Sequence, residues 1–222
     1  MFTGLIEAVG TVLAVEQRAG SRRIRVAAPS LAARLTTGDS ISVSGVCLTA
    51  LDIQPSADPP LFHADLAAET VARTSLAALA PGESVNLELP TPAGAPLGGH
   101  LVQGHVDGTG TLLSLNKVDE SAEVELADWW LRVAVPREVT RFIVEKGSIA
   151  IEGISLTVAR WEPEGDVVSV AVIPHTWLST NLHTLQPGRK VNIEADVLMK
   201  LALQQQRPSF ELTLEYLVAK GY

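Results

Sequence analysis

The segment from Asp39 to Ala50 reads DSISVSGVCLTA, and it recurs one residue shorter from Ser148 to Val158 as SIAIEGISLTV. In both copies apolar residues alternate with small or polar ones, which is the pattern of a half-buried β-strand. The phase of the alternation changes at a glycine, Gly45 in the first copy and Gly153 in the second. A glycine inside a strand pattern marks either a bulge or a close approach of another backbone. This pair of segments predicts a β fold that occurs twice.

Three further blocks recur in the same order along the chain, at offsets between 100 and 106 residues: MFTGLIEAVGTV at 1–12 with LVQGHVDGTGTL at 101–112, ETVARTSL at 69–76 with HTWLSTNL at 175–182, and LAPGESVN at 79–86 with LQPGRKVN at 185–192. Four blocks in constant order indicate two homologous units rather than chance. The Pro/Gly-rich stretch 90–99 has the composition of a linker. We therefore divide the chain into residues 1–99, 100–198 and 199–222.

Each unit consists of short predicted strands separated by turn signals. Val167 to Ile173 and Val191 to Ile193 are two of these strands, and the Pro-Gly pairs before the last strand of each unit predict turns. Helical signals inside the units are brief and lie at Leu31 to Leu35 and at Pro136 to Glu145. Many short strands with close turns predict a small Greek-key barrel in each unit.

The end of the chain has no counterpart after the first unit. Residues 196–206 and 209–220 have helical character, and Phe210, Leu214 and Leu217 lie on one apolar face of the second segment. Such a helix either packs on its own domain or mediates self-association, and the pattern leaves both alternatives open.

Composition excludes several classes of function. With 46% apolar and 19% charged residues the chain has the balance of a globular protein, and its net charge of −8 makes nucleic acid a poor ligand. Cys47 is the single cysteine, which excludes an intrachain disulfide and suits a reducing compartment. We see no signal peptide and no apolar run of membrane-spanning length, and we expect a soluble, cytoplasmic protein.

Small hydrogen-bonding side chains share one face of the recurring strand. Cys47 and Thr49 lie on this face in the first unit, and Ser155 and Thr157 lie on it in the second, because side chains alternate across a strand. Such groups could bind a planar heterocycle with its own donors and acceptors. The alternative is the polar outer face of a half-buried strand.

Four residues could take part in the chemistry, and each has a structural alternative. His105 follows a glycine and could transfer protons near neutral pH, or be structural. Cys47 could act in catalysis or be a small buried residue. Asp196 could orient a base or cap a helix, and Lys146 could bind a ligand or simply be solvated. No cluster has the spacing of a metal site, and His100 and His105 are predicted to face opposite sides of a strand.

The sequence resembles the riboflavin synthase family over nearly its whole length. The matching motifs are Met1-Phe2-Thr3-Gly4, Gly45-Val46-Cys47-Leu48-Thr49, Gly98-Gly99-His100-Leu101-Val102-Gln103-Gly104-His105 and Gly153-Ile154-Ser155-Leu156-Thr157. The resemblance implies two homologous six-stranded Greek-key β-barrels and a C-terminal α-helix that assembles a homotrimer. It also implies one lumazine site in each barrel and no metal or redox cofactor.

The activity implied by the resemblance is the dismutation of two 6,7-dimethyl-8-ribityllumazine molecules to riboflavin and 5-amino-6-ribitylaminouracil. The N-terminal barrel of one subunit would face the C-terminal barrel of a neighbour, so that two substrates meet between them. Lumazine synthase is a candidate partner of such a protein. One alternative is a non-catalytic lumazine or flavin antenna protein of the same fold, and another is a flavin-dependent oxidoreductase domain, for which no nicotinamide-binding fingerprint is present.

The resemblance also implies site residues, carried over position by position. The contacts assigned to the first barrel are Gly4, Leu5, Ile6, Cys47, Leu48, Thr49, Asp65, Leu66, Ala67, Ala68, Glu69 and Thr70. Those assigned to the second barrel are Gly104, His105, Val106, Lys146, Ser155, Leu156, Thr157, Ala171, Val172, Ile173, Pro174, His175 and Thr176. The positions implicated in turnover are Phe2, Ser40, Cys47, His105 and Asp196.

The implied chemistry suggests roles for these side chains. We expect His105 to transfer a proton, Ser155 and Thr157 to position a ring, and Cys47 and Ser40 to assist addition or proton relay. The sequence departs from the family at 175–177, where His-Thr-Trp stands in place of the common Glu-Thr-Leu.

Overall fold

The computed structural model describes residues 1–205, which contain two β-structures in succession. The strands of the first are β1 (Ala8–Arg18), β2 (Ser21–Ala27), β3 (Ser40–Val43), β4 (Val46–Thr49), β5 (Leu51–Gln54), β6 (Leu61–Leu66) and β7 (Ser84–Glu88). The strands of the second are β8 (Gly108–Lys117), β9 (Trp129–Ala134), β10 (Ser148–Ile151), β11 (Ile154–Glu162), β12 (Val167–Val172) and β13 (Lys190–Ala195). Four short α-helices accompany them: α1 (Ala68–Arg73), α2 (Arg137–Thr140), α3 (Pro174–Ser179) and α4 (Val197–Gln205).

The second unit is a closed barrel of six antiparallel strands in the order β10-β11-β12-β9-β8-β13. The first unit has the order β4-β3-β7-β1-β2-β6-β5, which is the same ring with its fourth strand divided. The two outermost strands, β4 and β5, are consecutive and are separated only by Ala50, so the chain itself joins the ends of this sheet. The predicted fold class of two homologous Greek-key barrels and a C-terminal helix is confirmed.

The recurring segment that decides the fold forms a tight β-hairpin in each barrel. Ser44 and Gly45 form the loop between β3 and β4, and both have positive φ, at 45° and 82°. A two-residue loop of this kind matches the twist of the flanking strands. The change of phase at Gly45 is therefore a turn, and a bulge at this position was the wrong alternative.

The close backbone approach predicted for this glycine is present, and it joins the two barrels. A Cβ atom on Gly45 would lie 2.7 Å from the backbone nitrogen of Gly153, and a Cβ on Gly153 would lie 2.6 Å from the nitrogen of Gly45. The hairpin turns of the two units thus meet backbone to backbone, which only a residue without a side chain permits.

Each barrel encloses its own apolar core because alternate strand residues point inward. Val46 and Leu48 of β4 are buried in the first core, whereas Cys47 is half-buried and Thr49 is exposed on the opposite face. In β11 the polar positions are likewise the more exposed ones. Fully burying a valine or leucine side chain contributes roughly 1.5–3 kcal/mol, and this burial fixes the register of the recurring strand.

A buried polar network joins the barrels around the two facing hairpins. The amide nitrogen of Asn181 donates to Oδ1 of Asn86 at 2.7 Å, and the amide nitrogen of Ser75 donates to Oδ1 of Asn192 at 2.7 Å. These two contacts are related by the duplication, at an offset of 106 residues. Oε1 of Glu152 accepts from the amide nitrogen of Asn192 at 2.8 Å, and its other oxygen accepts from the side chain of Asn181 at 3.2 Å.

Helical turns are present at both positions predicted inside the units, but they are shorter than predicted. Leu31 to Leu35 contains one 3-10 turn at Ala32–Arg34, and the expected helix at Pro136 to Glu145 extends only over Arg137–Thr140. The residue pattern predicted neither α1 nor α3, because six residues are too few to show an apolar period.

Helix α4 begins after Asp196, whose Oδ1 accepts from the amide nitrogen of Leu198 at 2.9 Å. Asp196 therefore caps helix α4, which was the structural alternative to its predicted role in orienting a base. The second predicted helix, at 209–220, lies outside the described residues. Within residues 1–205, every helix is too short or too polar to cross a lipid bilayer.

Candidate active site

Two short segments precede the barrels, and each leaves its own barrel to pack on the other. We call residues 2–7 the first segment and residues 102–107 the second segment. They pair with each other through Phe2 and Val102, whose backbones exchange hydrogen bonds at 2.7 and 3.1 Å. Both side chains are buried there. Phe2, expected to matter for turnover, thus lies where the two segments cross.

Beyond this crossing each segment reaches the recurring strand of the opposite barrel. The carbonyl of Gly4 accepts from the amide nitrogen of Ser155 at 2.8 Å, and the carbonyl of Gly104 accepts from the amide nitrogen of Cys47 at 2.9 Å. The side chain of Ile6 packs against the core of the second barrel, and that of Val106 against the core of the first.

The grouping of predicted contacts by repeat was therefore wrong for these segments. Gly4 to Ile6 were assigned to the first barrel and lie against the second, and Gly104 to Val106 were assigned to the second barrel and lie against the first. Alignment of the two copies showed which residues are equivalent. It contained no information on which barrel a segment packs against, because that depends on contacts between distant parts of the chain.

The structure brings six of the predicted contacts together in one cavity of about 400 Å³ on the first barrel. A larger cavity, of about 550 Å³, lies beside the linker and includes only Leu5 among the predicted contacts. The smaller cavity therefore fits the prediction better than the larger one. Its lining residues are Val46, Cys47, Glu69, Thr70, Arg73, Thr74, Gly104, His105, Val106 and Asp107.

The thiol of Cys47 belongs to a row of small polar groups on one face of the β3–β4 hairpin. Ser42 lies directly opposite Cys47, and Ser40 lies directly opposite Thr49. In the second barrel Ser148 lies opposite Thr157 in the same way. Sequence reasoning selected Ser40 but not its counterpart Ser148, although the repeat alignment contained that signal.

His100, which the sequence analysis did not select as a site residue, lies beside the recurring strand of the second barrel. Its Nδ1 lies 2.7 Å from Oγ of Ser155, and its ring is buried. Burial lowers the pKa of the imidazole, against the opposing influence of the Asp196 carboxylate. The expectation that His100 and His105 face opposite sides of a strand does not hold, because residues 100–105 do not form a regular strand.

The strand-to-helix junctions that carry the other predicted contacts are built alike in the two barrels. The hydroxyl of Thr74 donates to the carbonyl of Thr70 at 2.7 Å, and that of Thr180 donates to the carbonyl of Thr176 at the same distance. Residues 65–70 and 171–176 lie at equivalent places, where β6 leads into α1 and β12 leads into α3.

Several predicted contacts can offer a ligand only their backbone groups. Their side chains are buried in the two cores, and they are Leu48, Leu66, Leu156 and Val172. Nε of Arg23 lies 2.6 Å from Oδ1 of Asp65, and this ion pair lowers the pKa of the Asp65 carboxyl. Lys146 is exposed at the turn before β10, with a φ of 64°.

The unusual residues at 175–177 divide between surface and core. His175 is exposed, whereas the indole of Trp177 is buried and stacks on Trp129 with ring centroids 3.7 Å apart. The departure from the family at Trp177 thus belongs to the packing beneath α3.

Two buried glutamates hold the crossing segments, and neither was predicted. Glu88 accepts from the amide nitrogens of Thr3 and Gly4 at 2.6 and 3.0 Å. Glu194 accepts from the amide nitrogens of Gln103 and Gly104 at 2.7 and 3.0 Å. The signal was present, because a glutamate ends the repeated apolar strand VNLE or VNIE in both units.

Burial raises the pKa of the Glu194 carboxyl from 4.5 to about 7, although backbone amides and Lys200 favour the ionised form. Because the folded state then binds the proton more tightly than the unfolded state, this group's contribution to stability is present at low pH and is lost as the pH rises through about 7. We expect wild type to lose up to about 3 kcal/mol relative to Glu194→Gln between pH 4.5 and 8. Urea denaturation of both proteins across this range measures the difference. A constant difference would contradict the prediction.

Within residues 1–205, no group of three or more His, Cys, Asp or Glu side chains is placed to hold a metal ion.

Comparison with known proteins agrees with this duplicated site. Residues 3–90 and 103–196 each match the lumazine binding domain. Riboflavin synthase of Mycobacterium tuberculosis is 42% identical over 201 residues, covering 90% of this chain and 95% of that protein. Riboflavin synthase of Actinobacillus pleuropneumoniae is 36% identical over 228 aligned positions and covers both chains completely. LumP, solved with riboflavin, has the same fold, with a TM-score of 0.76 over 88% of this chain and 99% of LumP at 22% identity. The chain therefore belongs to the riboflavin synthase family and carries its lumazine-binding domain twice.

Proposed function

We propose that this protein is a riboflavin synthase that transfers a four-carbon unit between two 6,7-dimethyl-8-ribityllumazine molecules, giving riboflavin and 5-amino-6-ribitylaminouracil. The reaction is a dismutation: one substrate loses four carbons, and the other gains them.

The observation that carries the proposal is that one chain builds the same site twice. In each barrel the carbonyl of a glycine in a crossing segment accepts a hydrogen bond from the recurring strand. The donor is the amide of Cys47 in the first barrel and the amide of Ser155 in the second. A reaction between two identical molecules needs two sites for the same ring. The relatives that bear the name riboflavin synthase match over both halves of this chain.

Bringing two substrates together supplies much of the rate enhancement. The 7-methyl protons of lumazine are acidic because the resulting anion delocalises into the ring. A base removes one of these protons, and the partner molecule accepts a nucleophile or water. Fixing two reactants in a productive geometry is worth up to about 7–11 kcal/mol in favourable systems.

The side chains around the sites suit particular steps. We assign proton transfer to His105, whose exposed ring stands at the rim of the first cavity. Cys47 and Ser40 would assist addition or relay a proton on the same polar face. Ser155 and Thr157 would position the ring in the second site. Asp196 and Lys146 would act from the edges of this site, and the contacts of Asp196 support a capping role as well.

The proposal is tested by incubating the purified protein with 6,7-dimethyl-8-ribityllumazine alone. Formation of yellow, green-fluorescent riboflavin together with an equal amount of the uracil product is the expected result. Binding of lumazine with a shift in its emission but no product would instead identify an antenna protein.

His105→Ala is expected to lower kcat about tenfold, and Cys47→Ser by a similar or smaller factor. This is less than the roughly 10²–10⁴-fold of a dedicated acid–base residue, because proximity supplies most of the rate. Steady-state riboflavin formation measures the effect. His63→Ala is the control, since His63 lies on β6 and bonds the carbonyl of Asp52. Wild-type turnover in both test variants would remove these two roles.

We further propose a homotrimer in which the first barrel of one subunit faces the second barrel of its neighbour. Exposed Leu198 and Leu201 on α4 support self-association through this end of the chain. Lumazine synthase as a partner and a cytoplasmic location are proposed with it, the latter in keeping with a lone free cysteine. Sedimentation of the purified protein tests the trimer.

A further inference from the structure

The two buried glutamates at the ends of β7 and β13 have the geometry to control both ligand sites. Glu88 is 3% exposed and Glu194 is 2% exposed. Both accept hydrogen bonds from backbone amides of a crossing segment, and Glu88 also accepts from the hydroxyl of Thr3 at 2.7 Å. The amide of His105 also donates to Glu194, at 2.9 Å. Two or three neighbouring amides converge on each carboxyl group, so these bonds fix the position of the segments.

The contacts continue from the carboxylate to the opposite barrel. Glu194 holds the amide of Gly104, and the carbonyl of the same glycine receives the amide of Cys47 in the first barrel. Glu88 holds the amide of Gly4, and the carbonyl of that glycine receives the amide of Ser155 in the second barrel. In both cases the glutamate belongs to one barrel, and the strand that its segment completes belongs to the other.

A second pair of acidic residues lies in the segments themselves and accepts hydrogen bonds from the amides of the barrels. Glu7, in the first segment, accepts from the amide of Leu89 at 2.8 Å, and Asp107, in the second segment, accepts from the amide of Ala195 at 2.8 Å. Each of these amides follows one of the buried glutamates in sequence. The same pair of anchors is thus present twice, which a single accidental contact would not produce.

We propose that Glu88 and Glu194 are positioning residues that act crosswise: Glu194 shapes the ligand site of the first barrel, and Glu88 shapes that of the second. The inference rests on the proposed function, since it takes both sites to bind flavin-like ligands. Each glutamate acts through the backbone of its segment and touches no reacting atom. Each site therefore depends on a glutamate that belongs to the other barrel.

The test uses thiols that report on one barrel at a time, with riboflavin as the probe ligand. Cys47 is the only cysteine in the chain and lines the first cavity. Its equivalent in the second barrel is Ser155, so the double variant Cys47→Ser/Ser155→Cys moves the thiol to the second site. For each protein the rate of alkylation by iodoacetamide is measured against riboflavin concentration, which gives a concentration for half protection.

Glu194→Gln is expected to raise the half-protection concentration at Cys47 about tenfold and to leave that of the Ser155→Cys thiol within twofold. Glu88→Gln is expected to do the reverse. The glutamine keeps the shape of the side chain but turns an acceptor into a donor facing the segment amides. A residue that merely stabilises the chain would shift both thiols alike, so the crosswise pattern separates positioning from general stability.

Asp107→Asn and Glu7→Gln provide milder versions of the same test, because both side chains lie nearer the surface. Smaller shifts in the same crosswise sense are expected from Asp107→Asn at Cys47 and from Glu7→Gln at the Ser155→Cys thiol. Shifts confined to the glutamate's own barrel, equal shifts at both thiols, or no shift would each overturn the inference while leaving the function intact. If riboflavin protects neither thiol in the two parent proteins, the proposed sites themselves are wrong, and the inference falls with them.

Discussion

Gly104→Ala is expected to lower riboflavin formation by about 10²-fold in a chain that still folds. A Cβ atom at this position would lie 2.6 Å from Cβ and 2.8 Å from the backbone nitrogen of Cys47, and the residue has a φ of +78°, which L side chains rarely adopt. The second segment must then move away from β4. Because residues 104–107 line the first cavity, this movement displaces the bound ring itself, and a displacement of about 1 Å in a reacting group can cost 10²-fold in rate.

The measurement is kcat and KM for lumazine, together with the thermal midpoint of the variant. Gly82→Ala is the matched control, because Gly82 also has a positive φ, of +93°, but nothing lies within 4 Å of a Cβ there. This control bears the backbone cost of about 1 kcal/mol without the collision and should retain its activity. Similar losses in both variants would show that backbone strain, and not the contact with Cys47, was responsible.

Glu152→Ala is expected to reduce the free energy of unfolding by about 4 kcal/mol. The side chain is 4% exposed and lies between the barrels, where it accepts from the amide of Asn192, the side chain of Asn181 and the hydroxyl of Ser75. Removing the carboxylate leaves these donors buried without an acceptor, at a cost of about 1–3 kcal/mol each. Urea denaturation at neutral pH measures the change.

Glu152→Gln is the control for this prediction. The amide keeps one acceptor oxygen and the volume of the side chain, and burial already raises the pKa of the Glu152 carboxyl, so the ionised form is costly there. The expected loss is therefore about 1 kcal/mol or less. If the alanine variant proves as stable as the glutamine variant, the network contributes little to holding the barrels together.

The counterpart of Glu152 in the first barrel is Ser44. The backbones of the two hairpin turns are therefore related by the duplication, but the side chains at the centre of the interface differ. Oγ of Ser44 accepts from the amide of Asn86 at 3.2 Å, and its carbonyl accepts from the side chain of Asn192 at 2.8 Å. One carboxylate at the centre of a pseudo-twofold interface satisfies donors from both barrels, whereas two facing carboxylates would repel each other.

Local pattern was sufficient for much of this protein. The alternation in Val46, Cys47, Leu48 and Thr49 placed the core side and the polar side of the strand correctly, because side-chain direction in a strand depends only on position along it. The repeated Pro-Gly turns and glycines predicted two copies of one β-structure, because these residues set the backbone conformation at their own positions.

The sequence missed the features that depend on distant partners. His100 lies against Ser155, 55 residues away, and Glu194 holds amides about 90 residues away. The sequence around His100 does not indicate Ser155 as its partner. Glu194 recurs with Glu88 in the repeat, but the repeat does not show which amides either glutamate holds. Helices α1 and α3 were missed for a different reason, since they are shorter than two turns and show no period.

By itself, the sequence determined the duplication, the class of fold, the faces of the recurring strand and the family, because each of these is recorded in the order and spacing of neighbouring residues. Only the tertiary structure decided that Gly4 serves the second barrel and Gly104 the first, and that Glu88 and Glu194 hold them there. The physical reason is that backbone carbonyl and amide groups are the same in nearly every residue, so the sequence does not show which partner they bind. Their partners depend on how the two closed barrels pack against each other.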